Sequence, residues 1–278
     1  MPLKRLSTYN IKSMSERTKI EHRPLTHAEV KLIKSLQLAK YRRQSNLFIA
    51  EGEKLIGEML PAYRCQLLVG TAELVEPLLE RCSASIAEAV ILPDPKQIER
   101  VSGLKSPRPL LALCEIPTVE APQALLQPTL LLDDVQDPGN VGTLLRTCDW
   151  MGIRQVLCTE GCADVYSPKV LQATMGALAR VQVYRYTDRT ALLTMLKKTE
   201  IPVIGTFIDG APLRTLRLAP EQPYILVLGN EGNGISPELS ALVSQRITIP
   251  SPVDSHCESL NVAVAGAIVM AHLMLSPS

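Results

Sequence analysis

Three segments of this 278-residue chain carry polar side chains in settings that could support chemistry. In DDVQDPGNVGTLLRTCDWMG, residues 133–152, Pro138 and Gly139 read as a turn and Asn140 as the cap of a following helix. Val141, Leu144, Leu145 and Cys148 then fall at i, i+3, i+4 and i+7, on one buried stripe. At 100° per residue Arg146 lies about 140° from Val141, away from that stripe, where its guanidinium could fork onto a phosphate. A surface ion pair with Asp149, three positions on, is the other reading. In GNEGNGIS, residues 229–236, the glycines permit a ligand to approach the backbone closely. A phosphate-cradling loop of the G-x-x-x-x-G-K type would need lysine where Ile235 stands, and G-x-G-x-x-G is absent. Glu231 is then either an acid directed at a ligand or a turn carboxylate capping the helix that starts near Ser236. In the third segment, residues 247–273, Ser259 reads as an N-cap, and from Leu260 onward the helix is apolar around most of its circumference, which predicts burial on all sides. Ser259 and Asn261 would need polar partners there, from a ligand or from Arg146 and Glu231. The cluster Asp254, Ser255, His256, Cys257 lacks the G-x-S-x-G elbow of a hydrolase.

These loops need strands to hold them. Short apolar runs at 129–134, 155–159, 180–186, 202–207, 223–229 and 247–250 alternate with helical stretches, which predicts a mostly parallel sheet covered on both faces. Ligands bind beyond the carboxyl ends of such strands, where the loops after Asp134, Gly229 and Pro250 lie. Upstream, THAEVKLIKSL opens with a capping-box pattern, Thr26 and Glu29, and alternating helix and strand signals continue to about Cys114. Three prolines within IPTVEAPQALLQP set a boundary. The expected division is a basic mobile arm, 1–24; a small α/β domain, 25–115; a linker, 116–128; and a C-terminal α/β domain, 129–278.

The net charge of +1 conceals an asymmetry. Residues 1–45 hold 11 Lys/Arg against 3 acids, a local charge of +8, whereas the remainder carries −7. A basic leading segment suits a phosphate-rich partner or a merely solvated tail. With 46% hydrophobic residues the chain can build real cores, so disordered and collagen-like classes are excluded. Seven scattered cysteines form no CxxC pair and no zinc site, so no metal is expected. The apolar run at 262–271 is too short to span a bilayer and no secretory leader is visible, so a cytoplasmic protein without membrane association is expected. Aromatic residues are only 4%, so a platform stacking several bases is not expected, and a phosphate-rich partner would be gripped through its phosphates and shape.

In this order, DPGNVGTLLRT, LVLGNEGNGIS and ITIP…ESLNVAVA resemble the signature motifs of the SpoU (TrmH-like) branch of the SPOUT RNA methyltransferases, a likeness covering residues 129–275. FIAEGEKLIGEML through about Leu113 resembles the substrate-binding domain that precedes it in ribosomal RNA ribose methyltransferases. The resemblance implies a C-terminal SPOUT domain with a trefoil knot, preceded by an L30e-like α/β domain. It implies S-adenosyl-L-methionine as cofactor, with the backbone around Gly229, Ile249 and Leu260 holding its adenosine. Asn140, Arg146, Glu231, Ser259 and Asn261 match the family's polar set around the reacting groups. The partners so implied are RNA, ribosomal in preference to transfer RNA, and a second copy of the chain packed through the C-terminal helix. The spacer SPVDSHC lacks the glycine common in relatives.

Overall fold

Each half of the chain follows from an alternation of apolar strands and amphipathic helices. The computed structural model describes residues 18–122, 124–219, 221–251 and 259–275. Residues 1–17 of the expected arm, and the cluster Asp254, Ser255, His256, Cys257, lie outside the described residues.

The first half runs β1 (Lys19–His22), α1 (His27–Ser35), α2 (Ala39–Ser45), β2 (Leu47–Glu51), α3 (Glu53–Met59), β3 (Cys65–Gly70), α4 (Ala72–Cys82), β4 (Ile86–Ile91), α5 (Lys96–Glu99) and β5 (Leu110–Glu115). Its five-stranded sheet has the order β1-β4-β3-β5-β2. Order therefore begins before Thr26: Lys19–His22, expected within the mobile arm, pairs in parallel with β4. What holds it is electrostatic. Arg23 donates to both oxygens of Glu29 at 2.8 and 2.9 Å and to Glu88 at 3.0 Å. The capping box at α1 forms as expected, Glu29 Oε2 accepting the Thr26 N–H at 2.7 Å. The Arg23 hydrogen bonds hold the Glu29 carboxyl at about 2, against an ordinary value of 4.5. A depressed carboxylate stabilises the fold above its unfolded pKa, and that contribution is lost as pH falls through the folded value. Wild-type melting temperature should thus drop between about pH 4.5 and pH 2 by more than that of Glu29→Gln, the difference corresponding to about 1 kcal/mol after solvent screening. Thermal melts of both proteins across that window check it.

The second half runs β6 (Thr129–Leu132), α6 (Pro138–Trp150), β7 (Gln155–Cys158), α7 (Pro168–Thr174), β8 (Gln182–Arg185), α8 (Arg189–Lys197), β9 (Val203–Pro212), β10 (Ile225–Leu228), α9 (Pro237–Ser240), β11 (Gln245–Thr248) and α10 (Val262–Leu275). The six strands are all parallel, in the order β11-β9-β10-β6-β7-β8. The predicted stripe Val141, Leu144, Leu145, Cys148 is fully buried. Gly142 lets α6 meet α7, because a Cβ there would come 2.4 Å from that of Ala173.

The two halves share one core, which a Pro-rich boundary did not suggest. A single buried cluster runs from Phe48 and Tyr63 to Leu130, Val141 and Met270. Phe48 lies 4.9 Å from the Tyr166 ring, and Tyr63 donates its hydroxyl to Leu178 O at 3.0 Å.

Helix α10 departs from the expectation of burial on all sides. Val262, Ala263, Gly266, Val269 and Met270 are buried, with Gly266 seated against Leu144 and Leu228. Leu260, Val264, Ile268 and Leu275 remain 38–73% exposed. One chain offers α10 only one packing face, so an apolar stripe stays open to solvent.

Candidate functional site

The carboxyl ends of β6 and β10 and the start of α10 meet at one place, and each local structure has an identifiable cause. Asp137, not Asn140, caps α6: its Oδ1 accepts the Asn140 N–H at 2.8 Å, and Pro138 and Gly139 belong to the first turn rather than to a preceding one. Proline at the first helical position needs no N–H partner, so Asp-Pro is a start signal. Freed from capping, the Asn140 side chain turns to the site. Its Nδ2 donates to Glu231 Oε1 at 2.9 Å, and its Oδ1 accepts from Asn261 Nδ2 at 2.9 Å. Asn261, not Ser259, caps α10, its Oδ1 accepting the N–H groups of Ala263 and Val264 at 2.9 and 3.3 Å. Ser259 is exposed two residues before the cap.

Asn261, Asn140 and Glu231 thus form a relay with fixed directions. An amide whose carbonyl caps a helix must present its NH2 outward, which orients Asn140 and makes it donate to Glu231. Glu231 is accordingly engaged with Asn140 rather than serving as a helix cap, and its Oε2 has no partner among the described residues.

Arg146 is exposed on α6, and among the described residues it makes no hydrogen bond or ion pair. The pairing with Asp149 is not realised, because Arg154 and Arg180 occupy that carboxylate. Burial pushes the Asp149 pKa up, yet hydrogen bonds from these two arginines outweigh it and hold the group below the usual carboxylate range. Arg146 is left with an exposed guanidinium on α6, six residues along that helix from Asn140 and available to an external anion.

Among the residues expected to hold a cofactor, Gly229 is buried at the end of β10, and its Cβ would fall 2.2 Å from the Gly234 carbonyl carbon, so only glycine fits. Ile249 is half-buried beyond β11, and Leu260 is 48% exposed.

The sequence reasoning missed two organising residues. Asn230 folds the glycine loop, accepting the N–H groups of Gly232 and Asn233 at 2.9 and 3.0 Å and donating to Asp134 O at 2.8 Å. Asp133 is 1% exposed and accepts the Ser236 N–H at 2.7 Å, tying the far end of that loop to β6. A carboxylate directly after the buried apolar run 130–132 was the available signal for Asp133, since so buried an anion must have donors.

Cap and relay are separable at Asn261. Asn261→Ala should cost about 1 kcal/mol of stability. Asn261→Ser should recover most of that while leaving Asn140 without its donor, so melting is restored but any activity of the site stays reduced roughly tenfold. Parallel melting and turnover assays read the two effects apart; activity that recovers with stability would remove the relay's role.

Residues 127–271 match the model of the SpoU rRNA Methylase family, and residues 27–112 match that of the MRM3-like substrate binding domain. The chain is 33% identical over 251 residues to the 23S rRNA (guanosine(2553)-2'-O)-methyltransferase RlmP of Bacillus subtilis, covering 88% of this chain and 95% of that one. A TrmH-family protein from Porphyromonas gingivalis is similar in structure, with a TM-score of 0.81 and 47% identity over 89% of this chain and 97% of the other. An rRNA methyltransferase from Sinorhizobium meliloti follows at a TM-score of 0.79 and 26% identity, over 91% of this chain and 96% of its own.

Proposed function

The chain belongs to the SpoU rRNA methylase family, and we propose that it is an S-adenosyl-L-methionine-dependent RNA 2'-O-ribose methyltransferase acting on ribosomal RNA. The observation that carries this reading is the Asn261–Asn140–Glu231 relay, built from the same three segments that carry the family motifs, together with Arg146 on α6, which has no partner among the described residues. The preference for ribosomal RNA rests on the N-terminal substrate-binding domain and on the name of the Bacillus subtilis relative. An RNA substrate of that kind goes with a cytoplasmic location.

The residues present fit the cofactor. The exposed backbone at Gly232 and Gly234 admits close approach, and the part-exposed apolar surfaces of Ile249 and Leu260 suit a purine. When bound, the cofactor supplies an electrophilic methyl group on a sulfonium. The chain's own work is to place a ribose hydroxyl in line and manage its proton. Positioning alone is worth several kcal/mol. Arg146 holds the adjoining phosphate and stabilises the developing alkoxide, while Glu231 or a substrate phosphate oxygen takes the proton. Asn140 and Asn261 fix the Glu231 carboxylate. A trefoil knot belongs to the same reading; residues 252–258, which it would involve, lie outside the described residues.

The exposed stripe Leu260, Val264, Ile268 and Leu275 has a use in this reading, as the face that a second copy covers in a homodimer. Sedimentation should give a dimer for the wild type and a monomer for Val264→Glu/Ile268→Glu; a monomeric wild type at tens of micromolar would remove the dimer.

The decisive experiment maps ribose methylation across ribosomal and transfer RNA from cells with and without the gene, alongside calorimetric titration with S-adenosylmethionine and with ATP. Loss of a ribosomal site is expected. Loss confined to transfer RNA would move the substrate, and tight binding of ATP alone would defeat the reading.

A further inference from the structure

A cavity of about 360 Å³ opens beyond the carboxyl ends of β6, β7 and β8, next to the relay but outside it. Asp134, Glu160, Tyr186, Arg189 and Leu192 are among the side chains that line it. Its size falls at the low end of the ~300–1,000 Å³ typical of ligand sites.

Asp134 is held in a costly conformation. Its φ of 56° is in the left-handed region, and three hydrogen bonds keep it there. Its N–H donates to Thr159 Oγ1 at 2.8 Å, the Thr159 hydroxyl donates back to Oδ1, and its carbonyl accepts from Asn230. Gly161 gives way to this carboxylate, since a Cβ there would meet Oδ1 at 2.4 Å. Oδ2 and the Glu160 carboxylate have no partner among the described residues. Arg189 uses only Nη2, on Asp133, Ser236 and Glu238, which leaves Nε and Nη1 unengaged among the described residues. The buried Tyr186 and Leu192 supply apolar walls.

Two open carboxylates repel a phosphate, so the cavity does not suit the RNA backbone. It suits a neutral, flat group that offers adjacent N–H donors on one edge and acceptors on another. Guanine does so, with N1–H and the 2-amino group toward carboxylates and O6 and N7 toward a guanidinium. Adenine and cytosine put a ring-nitrogen acceptor beside their amino group, and uracil flanks its one N–H with carbonyls. Asp134 also connects to the catalytic loop, through Asn230, the neighbour of Glu231. We propose that this cavity takes the guanine base of the nucleotide whose ribose is methylated, extruded from its helix. This rests on the RNA methyltransferase reading.

The test uses the full chain with GMP, AMP, CMP, UMP and IMP as probes, followed by saturation-transfer NMR. GMP should bind at least about fivefold more tightly than the other four, IMP included because it lacks the 2-amino group. Asp134→Asn, which tolerates the left-handed backbone, and Glu160→Gln should each erase that preference with S-adenosylmethionine affinity unchanged. No saturable GMP binding, no preference among the nucleotides, a preference surviving both variants, or competition between GMP and S-adenosylmethionine would each overturn the proposal. Failure to bind S-adenosylmethionine or to methylate RNA would instead overturn the reading beneath it, whatever the nucleotide preference.

Discussion

Arg146→Ala is expected to lower kcat/KM for RNA methylation by roughly 10²–10³-fold while leaving S-adenosylmethionine affinity and melting temperature near wild type. The structural grounds are that Arg146 is exposed, has no partner among the described residues, and lies outside the buried stripe of α6. Removing such a side chain changes stability by no more than about 0.5 kcal/mol. Its energy is available only to something that arrives. A phosphate beside the reacting ribose meets the fork of a guanidinium with two parallel hydrogen bonds, and the developing alkoxide meets its charge in a site that RNA has dried. Arg146→Lys keeps the charge and loses the fork, so it should restore about a tenth of the lost rate. The split between kcat and KM separates the roles: a clamp acting on the ground state raises KM, whereas alkoxide stabilisation lowers kcat. If neither variant lowers turnover with cofactor binding intact, Arg146 is a bystander.

The same substitution bears on the proton. A guanidinium is protonated throughout the physiological range and presents no free base, so arginine cannot take the hydroxyl proton at a useful rate. Glu231 has the better claim. Asn140 occupies one oxygen and fixes the carboxylate plane, and the other oxygen is left for substrate. An arginine whose loss acts through KM and kcat together is what this division of labour requires.

Much of this arrangement was legible, and the failures share a cause. Strand runs, the 3.6-residue stripe on α6 and the Thr26–Glu29 box are local signals, and they located their elements. Both helix caps at the site were misassigned by two or three residues. Asp137 and Asn261 win because their side chains reach the first free N–H groups, which depends on where the chain turns. The error had a functional consequence, since taking Asn140 out of the cap is what frees it for Glu231. β1 was missed because four residues, KIEH, carry no period, and their strand exists only through β4 and the arginine beside it. The charge count misled in the same way. Arg23 and Arg42, both within the +8, are paired with Glu88 and Asp164 of the acidic remainder, so the leading segment offers less free positive charge than +8 suggests. Composition counts charges; only tertiary structure says which are already neutralised.

Arg42 carries the largest stability effect expected in the molecule. It is 3% exposed, and its guanidinium ties α2 to the loop after β7. Nε and Nη2 donate to Asp164 Oδ2 at 3.0 and 2.5 Å, while Nη1 donates to the carbonyls of Leu36 and Gln37 at 2.7 and 3.0 Å. Asp164 in turn accepts the Tyr166 N–H at 3.0 Å, which sets the ring that stacks on Phe48. Arg42→Ala therefore removes the cation paired with a part-buried carboxylate and the donors to two carbonyls at the seam between the sheets, and should cost about 3 kcal/mol. For a chain of this size that is a fall in melting temperature of roughly 10 °C. Arg42→Met/Asp164→Leu removes both charges and fills the space, so it should recover a large part of the loss. Because the buried cluster is continuous across both sheets, calorimetry should show one transition in the wild type and in both variants. Two separate transitions in the wild type would mean that the halves melt independently and that the seam is not a shared core. If the seam holds, the substrate-binding domain does not swing on a linker: it stands at a fixed distance from Glu231.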